Sequence, residues 1–516
     1  MKKIKRRTVL KSMAAATVLS QVPMFGYRSA YGADHKTLVY GSAGTVTSSW
    51  DPTSHTVAPQ IVMEGFTHSK LTNCPMTASN PSEILPDLAT SWKVIDKFNL
   101  EYKLREGVTF HNGQPFSAKD VKATMEYGCN PERPASAWYP GKVRVDIVDD
   151  YTVRLNTEEY GYSASNFWFV SSFLPILCAD DVANPDKLKQ SPNGTGTFAY
   201  EKTDGDRIIL KAFDNYHFGR PDIDHLIYAY VPDANSRALG LMNGELDLVE
   251  RLEPEQYFTL KEQSGIVTDL SPTSENMYMH FRCNKAPFDD VRMRQAVAHA
   301  IDREQVLAVA DVAGFPSNSH LNPVKFGYTD VANYPEYNPA KTQELMAAAG
   351  YPNGKGLPEL EYISSVGFYP KTREYNELIT AMLNEQGIPA KLTLLEPAAW
   401  EERIYNHELG HMVHVGWITG SPEPDLVLRP NYYSDYSFIG GFNDPEMDAT
   451  LNRERDAATP EEKLDRLQNE VLPMLADKVP SVSLFSANFM RAYTSKLSGV
   501  KFYPNGPYDL SKAKLS

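Results

Sequence analysis

The chain has 516 residues, 42 % of them hydrophobic and 22 % charged. That composition excludes a disordered or fibrous chain, and the length calls for two or three domains rather than one core. A net charge of −14 at pH 7 argues against nucleic acid or an anionic membrane as partner, since both need basic surfaces.

The chain opens on a basic cluster, Lys2, Lys3, Lys5, Arg6, Arg7 and Lys11, followed by a mildly apolar run over 13–19. That run is too short and too polar to span a bilayer. Small residues at Ala30, Gly32 and Ala33 offer a cleavage site, so residues 1–33 are expected to be an export signal outside the fold. Arg6-Arg7-Thr8-Val9-Leu10-Lys11 has the form of a twin-arginine signal, with an ordinary secretory n-region as the alternative. Removing residues 1–33 takes the net charge to about −21. No cysteine precedes Cys74, which excludes a lipid-modified cysteine at the cleavage site, and the periplasm is the expected location. The four cysteines, Cys74, Cys129, Cys178 and Cys283, lack metal-binding spacing. Disulfides or buried thiols both remain open for them.

Residues 36–40, 151–155 and 207–210 read as short strands. Asn193-Gly194-Thr195-Gly196 reads as a backbone bend, since no lysine follows as in a phosphate loop. Phe110-His111-Asn112-Gly113 reads as a tight turn, with His111 packing it. Met277 and Met279 alternate with Tyr278 and His280, as in a half-buried strand. Asp290 precedes a predicted helix over 291–309. Asn338 and Pro339 open another that Gly350 ends. Thr459-Pro460-Glu461-Glu462 is a capping box, with Leu464, Leu467 and Val471 as the buried stripe. Strands dominate the first half and helices the second, so a mixed α+β (α/β) chain with at least two lobes is expected.

Five segments together carry a resemblance. They are Trp50-Asp51-Pro52 with Glu64-Gly65, Leu85-Pro86-Asp87-Leu88-Ala89-Thr90-Ser91-Trp92, Leu104-Arg105-Glu106-Gly107-Val108-Thr109-Phe110-His111-Asn112-Gly113, Asn193-Gly194-Thr195-Gly196-Thr197-Phe198, and Pro287-Phe288-Asp289-Asp290-Val291-Arg292-Met293-Arg294-Gln295-Ala296. In this order they resemble the solute receptors of oligopeptide, dipeptide and nickel ABC importers, over nearly the whole chain after the export signal. The resemblance implies a two-lobed periplasmic-binding-protein fold with an extra subdomain, closing on its ligand by hinge motion. By analogy, residues 34–78, 196–285 and 486–516 form lobe I, 79–195 the subdomain and 286–485 lobe II. It further implies a non-enzymatic, monomeric receptor without cofactor. Its partners would be a small polar solute and the transmembrane subunits of the permease.

One motif points elsewhere. His407-Glu408-Leu409-Gly410-His411 matches the zinc-protease pattern H-E-x-x-H, which requires a helix and a third ligand. The positions of the longer version hold His414 and Trp417, and Glu423 follows Gly420, Ser421 and Pro422 in a loop, so proteolysis is not expected.

Peptide-binding relatives hold the free α-ammonium with an aspartate just after a Gly-Trp pair. Here Gly416-Trp417 is followed by Ile418 and Thr419, and the aspartate position falls on Gly420 or Ser421. An ammonium buried there would lack its counter-ion, at a cost of several kcal/mol. Glu423 and Asp425 are candidate replacements. A blocked peptide, an opine-like conjugate or an oligosaccharide is therefore expected, with a metal chelate or haem as the alternative. The resemblance places Trp50, His55, Phe368, Tyr369, Trp400, Trp417, Thr419, Gly420 and Tyr432 near the ligand, while Arg373 and Arg429 read as exposed.

Overall fold

Alternating β-branched and aromatic residues build one large sheet. In the computed structural model it has eleven strands, ordered 390–395, 360–365, 412–417, 266–281, 481–494, 248–249, 37–42, 225–230, 207–212 and 198–204, with 314–315 pairing on 481–494. The structure describes residues 36–516 apart from 45, 47–48, 55–57, 77–82, 129–141, 160 and 507. The export-signal reading over 1–33, His55 and Cys129 lie outside the described residues. Cys178 and Cys283 carry free thiols.

Two strands run much longer than the rest. Ile266–Phe281 and Ser481–Thr494 pair antiparallel, from Ile266 against Thr494 to His280 against Ser481. Their outer halves meet different neighbours. Leu248 pairs with Tyr493, next to the strand Thr37–Ser42, whereas Asn276 to Phe281 pair with Met412–Trp417. The register slips between Pro272 and Asn276 and again between Met277 and Tyr278. A proline cannot donate to the ladder, so the slip falls where pairing is weakest.

A second sheet stands apart, four antiparallel strands ordered 89–96, 99–104, 152–156 and 144–149. It has its own core, where Leu100, Tyr102, Val153 and Leu155 pack with Phe110, Phe116, Val121 and Phe167. The strands predicted over 36–40, 151–155 and 207–210 are Thr37–Ser42, Thr152–Asn156 and Arg207–Ala212.

Three expectations need correction. The helix predicted over 291–309 is two helices, Val291–Ala300 and Arg303–Ala310. Ile301 is extended, and Asp302 accepts the Gln305 backbone N–H while Gln305 returns a side-chain bond to Asp302. A second capping pair inside the apolar stripe thus outweighs its periodicity. The strand holding Met277 to His280 is buried on both faces, not one, because it lies mid-sheet with packed elements on each side. After the Thr459 cap, Pro460–Arg466 passes through a π-helical turn, Leu467–Val471, into Leu472–Lys478. Leu467 and Val471 are buried as expected, but Leu464 is only half-buried, and Lys463 is fully buried.

The glycines of 193–196 are set by close approach rather than by a phosphate. A Cβ on Gly194 would stand 2.0 Å from the Thr67 carbonyl oxygen, and one on Gly196 would stand 2.6 Å from the His68 nitrogen. His111 closes the same corner, its Nε2 at 3.1 Å from the Gly196 carbonyl and its ring on Phe213. Replacing Gly194 with alanine should therefore lower stability by about 2 kcal/mol, read as a lower urea midpoint with unchanged slope.

Candidate ligand-binding cleft

Just beyond the short strand Leu248–Val249, Arg251 adopts φ +46°. A bulky residue holds this left-handed conformation only under tertiary constraint. The bend carries its guanidinium 5.1 Å from the Phe368 ring, 5.9 Å from Tyr369 and 5.7 Å from Phe489. Glu275, in the slipped stretch of the long strand, stands 3.7 Å away, with the two side chains 8 % and 4 % exposed. Among the described residues, neither Arg251 nor Glu275 makes a side-chain hydrogen bond. Burial pushes the Glu275 carboxyl up, against the pull of Arg251. Burial alone would lower Arg251, but Glu275 and Glu250 hold it above the usual guanidinium range.

Two recesses meet at this arginine. One is lined by Glu275, Met277, Tyr375, Phe485 and Phe489. The other is lined by Val62, Glu250, Ile418, Thr419, Gly420 and Asn505. Glu250 is not open like Glu275, since it accepts from Ser42 at 2.8 Å and from Tyr508 at 2.7 Å.

The loop after the strand Met412–Trp417 is held by buried polar contacts. The Thr419 carbonyl accepts from Ser274 Oγ at 2.9 Å, and the Gly420 carbonyl accepts from Asn505 at 2.9 Å. Lys325 donates to the Thr419 hydroxyl and, at 2.5 Å, to the Ser421 carbonyl. A Cβ at position 420 would meet the Phe173 ring at 2.6 Å, so this position has no room for an aspartate without movement of that ring.

Glu423 and Asp425 are not available as replacement anchors. Lys463 lies 2.8 Å from both Glu423 and Glu454, all three fully buried. Asp425 pairs with Arg429 at 3.1 Å and with Arg455 at 2.6 Å. Arg429, expected at the surface, is buried for this reason, whereas Arg373 is exposed. Burial pushes the Glu454 carboxyl up to about 7, against the attraction of Lys463.

The predicted ligand-facing residues separate into two groups. Phe368, Tyr369 and Trp400 form one aromatic cluster, and Arg251 lies over its Phe368 and Tyr369 rings. Thr419 and Gly420 line the second recess. Trp417 is half-buried next to them and donates its indole N–H to the Leu426 carbonyl at 3.2 Å. Trp50 and Tyr432 sit elsewhere. Trp50 packs on Tyr200 in the core of Leu38 and Tyr40. Tyr432 is fully buried, bonded to Ser481 at 2.8 Å and stacked on His280. Arg251, Glu275, Lys325 and Asn505 were missed, because nothing near them in sequence marks a lone charged or amide side chain as buried.

The H-E-x-x-H stretch is not helical. The helix Pro397–Tyr405 ends before it, and His407 has φ +56° with its ring on Phe438. His411 accepts the Glu361 backbone N–H at 3.1 Å. Among the described residues, no three His, Cys, Asp or Glu side chains are grouped to hold a metal ion.

Burial drives Lys325 down to about 7 from its ordinary 10.5. Across that window the unfolded chain holds a proton that the folded chain lacks, so stability rises with pH. Relative to Lys325→Met, the native protein should gain roughly 2 kcal/mol between pH 7 and 9, measured from urea midpoints at each pH.

Comparison with known proteins extends this picture. Residues 83–438 match the model of the bacterial extracellular solute-binding proteins, family 5 Middle. The chain is 29 % identical to heme-binding protein A of Haemophilus influenzae over 469 residues, 83 % of each protein. It is 27 % identical to the dipeptide-binding protein of Escherichia coli over 423 residues, 76 % of this chain and 77 % of that one. Its fold matches that of a Pseudoalteromonas dipeptide-binding protein in complex with Met-Leu, with a TM-score of 0.82 at 23 % identity, covering 93 % of this chain and 100 % of the other. Among the described residues no helix is long and apolar enough to cross a membrane. With its mixed α/β periplasmic-binding-protein fold, the chain belongs to family 5 of the bacterial extracellular solute-binding proteins, the non-enzymatic substrate receptors of ABC importers.

Proposed function

We propose that this receptor captures a small polar solute, peptide-like or opine-like, that places a carboxylate or similar anion on Arg251. The observation that carries the reading is the guanidinium itself. It is nearly buried, stands where two recesses meet, and among the described residues spends none of its five donors on a protein hydrogen bond. Buried polar groups are normally paired, and guanidinium suits a carboxylate two bonds at a time. Phe368 and Phe489 would cover the apolar part of such a solute. An oligosaccharide would offer that guanidinium only neutral hydroxyl acceptors, the weaker kind of partner.

In this reading lobe I is about 34–78, 196–285 and 486–516, the subdomain 79–195 and lobe II 286–485. The register slips between Pro272 and Tyr278 support a hinge in the long strand pair. A solute touching both sides of the pair favours the closed state, which docks on the transmembrane subunits of the permease. The chain acts in the periplasm as a monomer, and a twin-arginine signal delivers it there. Haem capture has less support, because His414, beside Tyr375 of the recess lining, is taken: it bonds Tyr375 at 2.9 Å and Ser364 at 3.3 Å.

Mass spectrometry of solute released on denaturation should find a compound with a carboxylate or equivalent anion. By calorimetry, Arg251→Gln should weaken binding of that compound at least tenfold, about 1.4 kcal/mol or more. An uncharged compound, or affinity within twofold of the native protein, would refute the reading.

A further inference from the structure

The Arg251 reading concerns one charge; Glu275 beside it is another that, among the described residues, accepts no hydrogen bond on its side chain. Glu275 is 96 % buried by its 4 % exposure, and among the described residues its carboxylate pairs with Arg251 alone, at 3.7 Å. Other buried carboxylates of the molecule are answered at closer range: Glu250 by two hydroxyls, Asp425 by two arginines and Glu423 by Lys463. The Arg251–Glu275 pair is loose by that standard, and it faces the recess lined by Met277, Tyr375, Phe485 and Phe489. Gly416 lets the carboxylate and the Tyr369 ring pack against its backbone, since a Cβ there would stand 2.7 Å from Glu275 Oε1 and 2.7 Å from that ring.

The pair is neutral as a unit. A lone anion on Arg251 would release Glu275 as an uncompensated buried charge, at a cost of several kcal/mol. A group that brings both signs gives the guanidinium an acceptor and the carboxylate a donor without changing the net charge of the site. We propose that the solute enters as an α-amino-acid head, with its carboxylate on Arg251 and its ammonium on Glu275. The proposal rests on the reading that the solute docks at Arg251. In an α-amino acid the ammonium nitrogen and carboxylate carbon are about 2.5 Å apart, which suits two charged partners this close. The termini of an extended dipeptide are farther apart by roughly 3.5 Å, so both charges come from one carbon. Each recess as it stands has room for about one water molecule, so the head enters as the cleft opens, with an apolar side chain toward Met277 and Phe485 and the remainder of a larger conjugate toward Ile418 and Asn505.

The test is thermal unfolding of the full chain, freed of co-purified solute, at millimolar L-leucine, N-acetyl-leucine, leucine amide and leucyl-leucine. Leucine should raise the midpoint by roughly 2 °C or more, and neither blocked form should. Glu275→Gln and Arg251→Gln should each abolish the shift, with circular dichroism confirming that the variants fold. Protection by N-acetyl-leucine equal to that by leucine, and lost in Arg251→Gln, would overturn the amino-acid head while leaving an anion site at Arg251. Protection by leucyl-leucine alone would assign the charges to two termini and overturn it as well. No shift with any of the four would overturn it, and the released solute would then judge the Arg251 reading separately.

Discussion

The pairing of Ile266–Phe281 with Ser481–Thr494 is the constraint on which the rest of the molecule depends. Each strand passes from one group of neighbours to another, so two hydrogen-bonded chain segments join the Leu248–Tyr493 side to the Met412–Trp417 side. Where the ladder slips, the backbone bends and pairing thins. Glu275 and Met277 lie in that stretch, and Phe489 pairs with Ser271 just before it. The cleft therefore forms where the sheet is least regular. A continuous ladder would present both faces to packing helices and leave no gap for a guest.

Charge is handled in two different ways around this stretch. Below the cleft loop, Lys463, Glu423 and Glu454 are all sealed from water, and Asp425 is held by two arginines. Such clusters add little net stability compared with apolar packing, but losing one member leaves a bare buried charge. They fix the loop that carries Thr419 and Gly420. At the candidate cleft, Arg251 and Glu275 are nearly as buried, at 8 % and 4 % exposure, yet less well answered. Rigid support beneath a less satisfied pair is the arrangement expected where a ligand completes the bonding.

Much of this was legible in the sequence, and the failures share a cause. Caps at Asp290, Asn338 and Thr459 were readable because a cap is local. The turn glycines and the Gly416-Trp417 step were readable as motifs. By contrast, Glu250-Arg251 looks like any charged loop pair. Arg251 is buried by Phe368 and Phe489, more than a hundred residues away in sequence. Lys463 reads as part of a solvated helix face until Glu423 and Glu454 arrive on other elements. Trp50 and Tyr432 show the converse: an aromatic side chain suits a cleft and a core equally, and both pack in cores here. The split at Ile301 and Asp302 was hidden because apolar periodicity continued across it. Local chemistry was legible, whereas long-range burial of charge was not.

A crystal structure of the protein with its co-purified solute tests the central claim most directly. The account predicts solute density between the two recesses, with a solute anion within hydrogen-bonding distance of the Arg251 guanidinium. Solute bound away from the long strand pair, with Arg251 and Glu275 still facing only each other, would contradict it.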